Sequence, residues 1–600
     1  MSAMLTEPES DTDGAPQQGM LPDASALVDR MPGWFRTSRR SMLAVAVLAL
    51  LFTFFARRPL WHTDLWGHLA YGRLITQTQA IPATEPFMPL AEGMPLVDTA
   101  WLSQLIGYAA HELAGVAGLQ FLYAAAVTLC LALLLWRFVG KTDSLAAGLV
   151  GLAAFLWMEW QALGVVRPQL AGLCCFLALF ALLSSRPWRT RSRIRENSAG
   201  QIGRGRILTN SATCLRRKSD WILVPGIMAL WANLHGSFPV GLVLLGTLCL
   251  GRAVDVILAT RRLASRERQR PEHSGGSRPP ARLAVWRDRR TRRLFLLTEL
   301  AALAVLINPY GFRLYEEVFA LLSNPNFTDL QEWSPLTLRM KQGQAAFAVG
   351  FALIVLLRLT PRRITTAEAL LLAGFGAASL WSSRFLIWWA PLAATSLVLH
   401  GHAVLRAMLR KRRQTGTGPF FARRVFGEPG ASATGVLGEK WTSPRRSLWT
   451  VASIGLCWIA FGLSPLGFQV LHGIEPKLDD AVSAETPLGA AEYLREHPPR
   501  GQIFNPYEWG DYLAWAGPES PKVFVTAHAH LVPRRVWLDY IQILTAADGW
   551  DDGLARYGVD MVVINRYQAD QRELLTRLRR SKKWKTVFRD DRSEIFERVN

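Results

Sequence analysis

Residues 41–75 read SMLAVAVLALLFTFFARRPLWHTDLWGHLAYGRLI. Ser41 to Ala56 is an unbroken apolar run closed by Arg57, Arg58 and Pro59, and a polar loop rich in Trp and His follows it directly. Runs approaching about 20 apolar residues are long enough to cross a bilayer. A polar stretch behind such a run belongs at the membrane surface. The run has no small-residue cleavage site, so it reads as an uncleaved anchor and not as a signal peptide. Similar runs recur down the chain between Arg-rich stretches. They predict a polytopic α-helical membrane protein of about eleven spans.

Half of the 600 residues are hydrophobic, and the formal charge is +21. That charge does not point to nucleic acid, because the Arg residues gather in loops between spans, where the positive-inside rule puts them. The six cysteines include Cys130, Cys174 and Cys175 inside apolar runs, with no metal-type spacing. They read as small apolar helix residues.

Residues 1–38 run from acidic to basic and are expected to be disordered and cytoplasmic. Residues 39–470 form the expected membrane domain, with its first external loop at 57–100 and basic cytoplasmic loops at 186–220, 260–293 and 403–446. Trp101 to Leu113 is apolar but short, and reads as an interfacial or re-entrant helix. Alternating the remaining spans puts every basic loop inside and every polar motif outside. Residues 471–600 change to a soluble α/β composition on the outer side. There the pattern predicts helices at Leu488–Glu496, Glu508–Trp515, Val536–Leu544 and Gln571–Arg579. It predicts strands at Gly501–Phe504, Val523–Thr526, Met561–Ile564 and two within Trp584–Phe596. The expected location is the cytoplasmic membrane, with the N-terminus inside and the C-terminal domain outside.

Asp64 and His68 stand four residues apart, with Tyr71 one turn on. A helix starting near Thr63, a residue able to cap it, shows them on one face. Asp64 is suited to act as a general base for an acceptor hydroxyl. The plainer reading is a helix cap among interfacial aromatic residues. His62, Asp64 and His68 offer three ligands for a divalent metal, although their spacing matches no metal template. Asn233 and His235 end a span, where they suit a phosphate or sugar hydroxyls, or equally an interhelical hydrogen-bond pair. Arg167 and Arg384 end spans against the positive-inside bias. Guanidinium groups there suit a lipid phosphate, or else they snorkel to headgroups or pair with Glu159. Asn308, Tyr310, Glu316, Glu332 and Trp333 offer stacking faces and carboxylates for a sugar, or simply make a capped loop. His528 and His530 read as the surface end of a strand.

Several motifs resemble the bacterial integral-membrane glycosyltransferase-like proteins of the GT-C class, related to the protein mannosyltransferase and lipid A arabinosyltransferase types. The resemblance is carried by WHTDLWGHLAYGRLI, IPATEPF and VDTAWLSQLIGY, then WANLHGSF, INPYGFRLY and QEWSP, with GQIFNPYEWGDYLAW through KVFV in the outer domain. It implies transfer of a sugar from a polyprenyl-phosphate donor to an envelope acceptor on the outer face, with the lipid bilayer as surroundings. By the same resemblance Asp64 is the catalytic acidic residue of the first loop. His68, Arg167, Asn233, His235, Tyr310, Glu332 and Arg384 are its expected substrate contacts, and no cofactor is required beyond a divalent metal as an option. Better-known members carry two neighbouring acidic residues in that loop, and this chain has one. Related outer domains carry an acidic residue and an Arg where this chain has Thr526 and His528. A non-catalytic scaffold binding an envelope partner, or a transporter, are the alternatives. A transporter needs polar groups at mid-membrane, whereas here they cluster at one face.

Overall fold

In the computed structural model of the chain, the described residues are 32, 35–61, 63–184, 204–268, 281–414, 445–518 and 522–599. Nearly all of the expected N-terminal segment, the middle of each basic loop, and His62 lie outside them.

Each apolar run falls on a helix. In order these are α1 (Arg39–Ala56), α2 (Leu65–Thr78), α3 (Trp101–Thr142), α4 (Leu145–Glu159), α5 (Gln169–Ser184), α6 (Arg204–Leu234) and α7 (Pro239–Arg268). Then come α8 (Ala281–Arg287), α9 (Arg289–Val305), α10 (Arg313–Leu322), α11 (Lys341–Leu359), α12 (Thr366–Trp381), α13 (Leu386–Gln414), α14 (Arg445–Gly462) and α15 (Pro465–His472). The chain is a mostly helical, multi-pass membrane protein. Among the described residues, five helices are long and apolar enough to cross a membrane, or six if the bent pair α14–α15 counts as one span. The shorter apolar helices are α4, α5 and α12.

Two local expectations change. The basic stretch 186–220 was expected to lack structure, yet α6 begins at Arg204, because Arg and Lys are good helix formers and extend a helix beyond its apolar window. The predicted strand Val523–Thr526 shortens to one parallel bridge between Ile503 and Val523. The side chain of Asn505 takes over the next pairings, accepting from the Phe524 N–H at 2.9 Å and donating to the Val525 carbonyl at 2.9 Å. The short helix expected at Trp101–Leu113 is present. It is broken from the rest of α3 at Ala114 and at Gly115, whose φ of 55° suits a residue without a Cβ.

The C-terminal domain carries a four-stranded sheet in the order β1–β2–β4–β3: Gln502–Phe504, Val559–Asn565, Ser593–Arg598 and Trp584–Arg589. The first pair is parallel, and the other two are antiparallel. Its core is shared with the first loop. Leu60, Leu65, Trp66, Leu69, Tyr71, Met88 and Leu96 join one buried cluster with Phe504, Trp509, Phe524 and Ile564. Leu60 closes this seam with two backbone hydrogen bonds, accepting from Ser483 at 2.7 Å and donating to Ala481 at 2.8 Å.

Helix α2 lies between α3 and the C-terminal-domain helix Tyr507–Ala516. Its two glycines explain how it fits. A Cβ on Gly67 would lie 2.6 Å from Asp511 Oδ1, and one on Gly72 would lie 2.5 Å from the Gln104 carbonyl oxygen. Each glycine costs the helix about 1 kcal/mol in propensity. Burial offsets that: Trp66 is 1% exposed and meets Tyr512 edge to face at 5.1 Å. Burying one side chain of this size contributes roughly 1.5–3 kcal/mol.

Candidate functional site

Asp64 stands just before α2 with φ of 28° and ψ of −47°. Its neighbours close a tight turn, with the Leu65 N–H donating to the Thr63 carbonyl. A non-glycine residue in this region is strained, at a cost of order 1–3 kcal/mol. Its side chain makes no cap hydrogen bond, and the expected cap, Thr63, leaves its hydroxyl without a protein partner. The Asp64 carboxylate instead turns to Arg167, whose Nε is 2.7 Å from Oδ2.

Arg167 comes from the turn between α4 and α5. Its Nη1 reaches Glu332 Oε2 at 2.6 Å. Glu332 in turn faces Arg384, from the turn before α13, at 3.9 Å. The Arg384 guanidinium lies 5.1 Å over the ring of Trp333. Ser383 Oγ donates to the Glu332 carbonyl at 3.1 Å and fixes that segment. Four segments distant in sequence thus make a line of alternating charge: Asp64, Arg167, Glu332, Arg384. Burial alone would lower the Arg167 pKa, but Asp64 and Glu332 outweigh it and raise it above its ordinary value. Arg167 does not pair with Glu159, which is buried and has one oxygen without a partner.

This line borders a cavity of about 550 Å3. Asp64, Arg167 and Glu332 line it from the helical body, and Tyr507 and Glu508 from the C-terminal domain. Trp61, Arg339 and Lys341 complete the part that matters for charge and stacking.

Behind Asp64 lies a buried polar layer. His68 Nδ1 faces Gln104 Nε2 at 3.3 Å, and Gln104 donates to Asp98 Oδ1 at 3.0 Å. Burial, His528 and Arg167 push the His68 pKa down to about 3, so its imidazole is neutral. Burial raises Asp98 to about 6, against the Ala100 N–H, His528 and Gln104, which favour its charged form. Tyr310 accepts from the Asp98 N–H at 3.0 Å. Across the seam, His528 Nδ1 meets the Tyr71 hydroxyl at 3.0 Å, and Tyr71 donates to Glu85. His528 therefore does not stand at a surface strand end; it faces the loop helix. Its neighbour His530 is pushed down to about 3 by burial, then by His528 and Arg384. Asp511 is raised well above the usual carboxylate range, by burial first and then by the charge of Asp64.

The other expected residues divide. Burial, then the charge of Arg384, pushes the His235 pKa down to about 3. Its Nδ1 accepts from Ser237, at 2.7 Å from the hydroxyl and 3.1 Å from the backbone N–H. Asn233 donates to the Ile307 and Ala229 carbonyls, both at 2.8 Å, and accepts from Trp101 Nε1 at 3.1 Å. It ties three helix ends together. Sequence reasoning assigned nothing to Glu85, Asp98, Tyr507, Glu508 and Asp511. The glycine at position 67, needed only because Asp511 approaches it, was the one signal, and it is read only once the two segments are brought together.

Of the three expected metal ligands, His62 lies outside the described residues, and Asp64 and His68 are engaged with other partners. Among the described residues no three His, Cys, Asp or Glu side chains gather to hold one. The Asp64 carboxylate faces a guanidinium, and His68 Nδ1 faces an amide donor.

No family model matches the sequence, and no curated protein matches it. Among solved structures, the chain is similar to the apo oligosaccharyltransferase of Archaeoglobus fulgidus, at 12% identity, over 89% of this chain and 70% of that one, with a TM-score of 0.45. It is also similar to ArnT from Cupriavidus metallidurans bound to undecaprenyl phosphate, at 12% identity, over 93% of this chain and 97% of that one, with a TM-score of 0.44. ArnT in its apo state gives 14% identity and a TM-score of 0.41 over the same shares. Likeness of this order concerns overall shape and carries nothing about donor, acceptor or chemistry.

Proposed function

We propose that the chain is a membrane glycosyltransferase that moves a sugar from a polyprenyl-phosphate donor to an envelope acceptor. The observation that carries this reading is the line of Asp64, Arg167 and Glu332 along one wall of the cavity, with Arg384 next to Glu332 behind it. In this reading the Arg-rich stretches between the spans face the cytoplasm by the positive-inside rule and the cavity faces outward.

In this reading the Asp64 carboxylate takes the proton of an acceptor hydroxyl. The oxygen attacks the anomeric carbon, the bond from that carbon to the phosphate oxygen breaks, and the polyprenyl phosphate leaves with its electron pair. Arg384 faces the growing phosphate charge, and Arg167 holds Asp64 and Glu332 at their spacing. Glu332 offers the sugar a carboxylate, while His68, His235 and Tyr310 do not line the cavity and act only from behind its wall. Preorganised charge at a leaving group commonly contributes a factor of about 10²–10³ per group, and a positioned base about 10²–10⁴.

The test is turnover of labelled polyprenyl-phosphate sugars in membranes carrying the native chain or Asp64→Asn. Asparagine tolerates positive φ, so this variant keeps the turn. The expected result is a loss of about 10²-fold or more at equal protein level, and full activity in the variant refutes the role of Asp64. The close pairing of Asp64 with Arg167 favours a second reading, in which the pair is a clamp in a non-catalytic scaffold. A stoichiometric envelope partner captured equally by Asp64→Asn, with no turnover of any donor, supports that reading.

A further inference from the structure

Two cysteines meet inside the helical body, and neither lines the cavity. Cys130 of α3 is completely buried, and Cys174 of α5 is half-buried. Their sulfur atoms are 3.2 Å apart, closer than unbonded carbon atoms pack, at about 3.5–4.0 Å. Cys174 Sγ also donates to the Ala126 carbonyl at 3.5 Å. Ala126 lies one turn before Cys130, so the α5 side chain rests directly on the α3 backbone. Helices that approach this closely bring facing Cα atoms toward the range of about 4.4–6.8 Å that a disulfide spans. Two further contacts hold the register along the same face of α3. Two turns to either side of Cys130, the Tyr123 hydroxyl donates to the Leu163 carbonyl, and Arg137 Nη1 donates to the Phe180 carbonyl at 3.2 Å. These contacts keep the two thiols opposite each other. The free thiol of Cys175 is turned about 100° away from Cys174 around α5.

We infer that Cys130 and Cys174 are a redox modification site, a thiol pair that closes to a reversible disulfide and braces α3 against α5. The open side of Cys174 lies on an apolar helix. The reagent that reaches it is therefore lipid-soluble, a two-electron oxidant of the quinone class. Both S–H bonds break and one S–S bond forms. The two electrons and two protons pass to the quinone, which leaves as the quinol. A dithiol reverses the step by exchange. The bond closes the stretch of chain that runs from α3 through α4 to α5, and closing such a loop restricts the unfolded chain. It also pins to α3 the helix that follows the turn carrying Arg167. The inference concerns the helical body alone and stands whether or not the chain transfers sugar.

The experiment treats the full chain, reduced and held in lipid nanodiscs, with duroquinone. The chain is then denatured and alkylated, and its mass counts the remaining thiols. The count is expected to fall by two from the six cysteines of the sequence. Digestion should yield a peptide that links Cys130 to Cys174, and dithiothreitol should restore the full count. The linked peptide is read in the native chain, so it does not depend on how a variant folds. Cys130→Ala and Cys174→Ala should each keep all their other thiols, whereas Cys175→Ala should still lose two. Oxidation should raise the thermal midpoint of the native chain by roughly 2–4 °C and leave that of Cys130→Ala where it was. Retention of every thiol in the native chain, or a link made through Cys175 or Cys457 instead, overturns the inference. A Cys130–Cys174 link that does not move the midpoint overturns the bracing of the two helices.

Discussion

Replacing Arg167 by glutamine, alone and together with Asp64→Asn, measures how strongly the charged line holds the site. The Asp64 arm is 2.7 Å long, and its side chains are 21% and 19% exposed. Two unit charges about 4 Å apart attract by roughly 4 kcal/mol at an effective dielectric of about 20. Removing one partner of a largely buried pair costs about 3–5 kcal/mol, because the other charge is left behind without compensation. Glu332 is 38% exposed, so its arm is screened and contributes about 1 kcal/mol or less. Arg167→Gln should therefore destabilise the chain by about 3 kcal/mol. Asp64→Asn removes the stranded charge, so the double variant should be about 2 kcal/mol more stable than the sum of the single effects. The assay is equilibrium unfolding in mixed micelles, followed by tryptophan fluorescence. An internal standard is the Arg384–Glu332 pair, 3.9 Å apart with 30% and 38% exposure, whose coupling should stay below about 1 kcal/mol. A coupling at Asp64–Arg167 no larger than that standard refutes the argument that this pair organises the site.

Gly67→Ala should destabilise by about 1–3 kcal/mol and reduce turnover, since its Cβ would meet the buried carboxyl of Asp511 at 2.6 Å; Gly67→Ala combined with Asp511→Ala should recover the stability in the same unfolding assay. Burial raises Asp98 to about 6 from an ordinary 3.8, so its contribution to stability is full below about pH 3.8 and lost as pH rises through 6. Asp98→Asn should therefore gain on the native chain above pH 6 by of order 2–3 kcal/mol, read as the difference between two unfolding curves taken from pH 4 to 8. The lowered pKa values of His68, His235 and His530 act oppositely: their stability is present above about 6.5 and lost as pH falls toward 3, and it leaves this difference untouched. A chain cut before residue 471 should expose Trp66, Leu69 and Tyr71, at roughly 1.5–3 kcal/mol each, and its first loop should become open to protease.

The spans were legible because the bilayer imposes a length and a composition on each of them. The apolar runs that begin near Ser41, Val240 and Ala345 needed no partner to be read as α1, α7 and α11. The helix at Leu488–Glu496 was equally local, with its residues 490, 491 and 494 on one buried face. Asp64, Arg167, Glu332 and Arg384 were legible for a different reason. Charged groups at span ends are costly enough to stand out one at a time. Their mutual contact was not legible, since the four are spread over more than 300 positions and no periodicity links them. Asp98, Asp511 and Glu85 were missed because an isolated carboxyl in a loop looks like any solvated residue. Only their burial, which depends on the C-terminal domain packing over α2, sets them apart.

That packing also ties the C-terminal domain to the first loop. A domain that merely followed the last span would bury its own core and leave the first loop alone. Here the loop and the domain form one apolar cluster, with Trp66 against Tyr512 and Leu60 hydrogen-bonded to Ala481 and Ser483. The strained backbone of Asp64 is held from both directions, by Arg167 of the helical body and by α2, whose Gly67 rests on Asp511 of the C-terminal domain. Strain of order 1–3 kcal/mol persists only where the surroundings over-determine the conformation, and here contacts from both halves of the molecule meet at this turn. Tyr507 and Glu508 then complete the cavity from the same helix that carries Asp511. The C-terminal domain therefore forms part of the cavity wall and also backs the helix that follows Asp64.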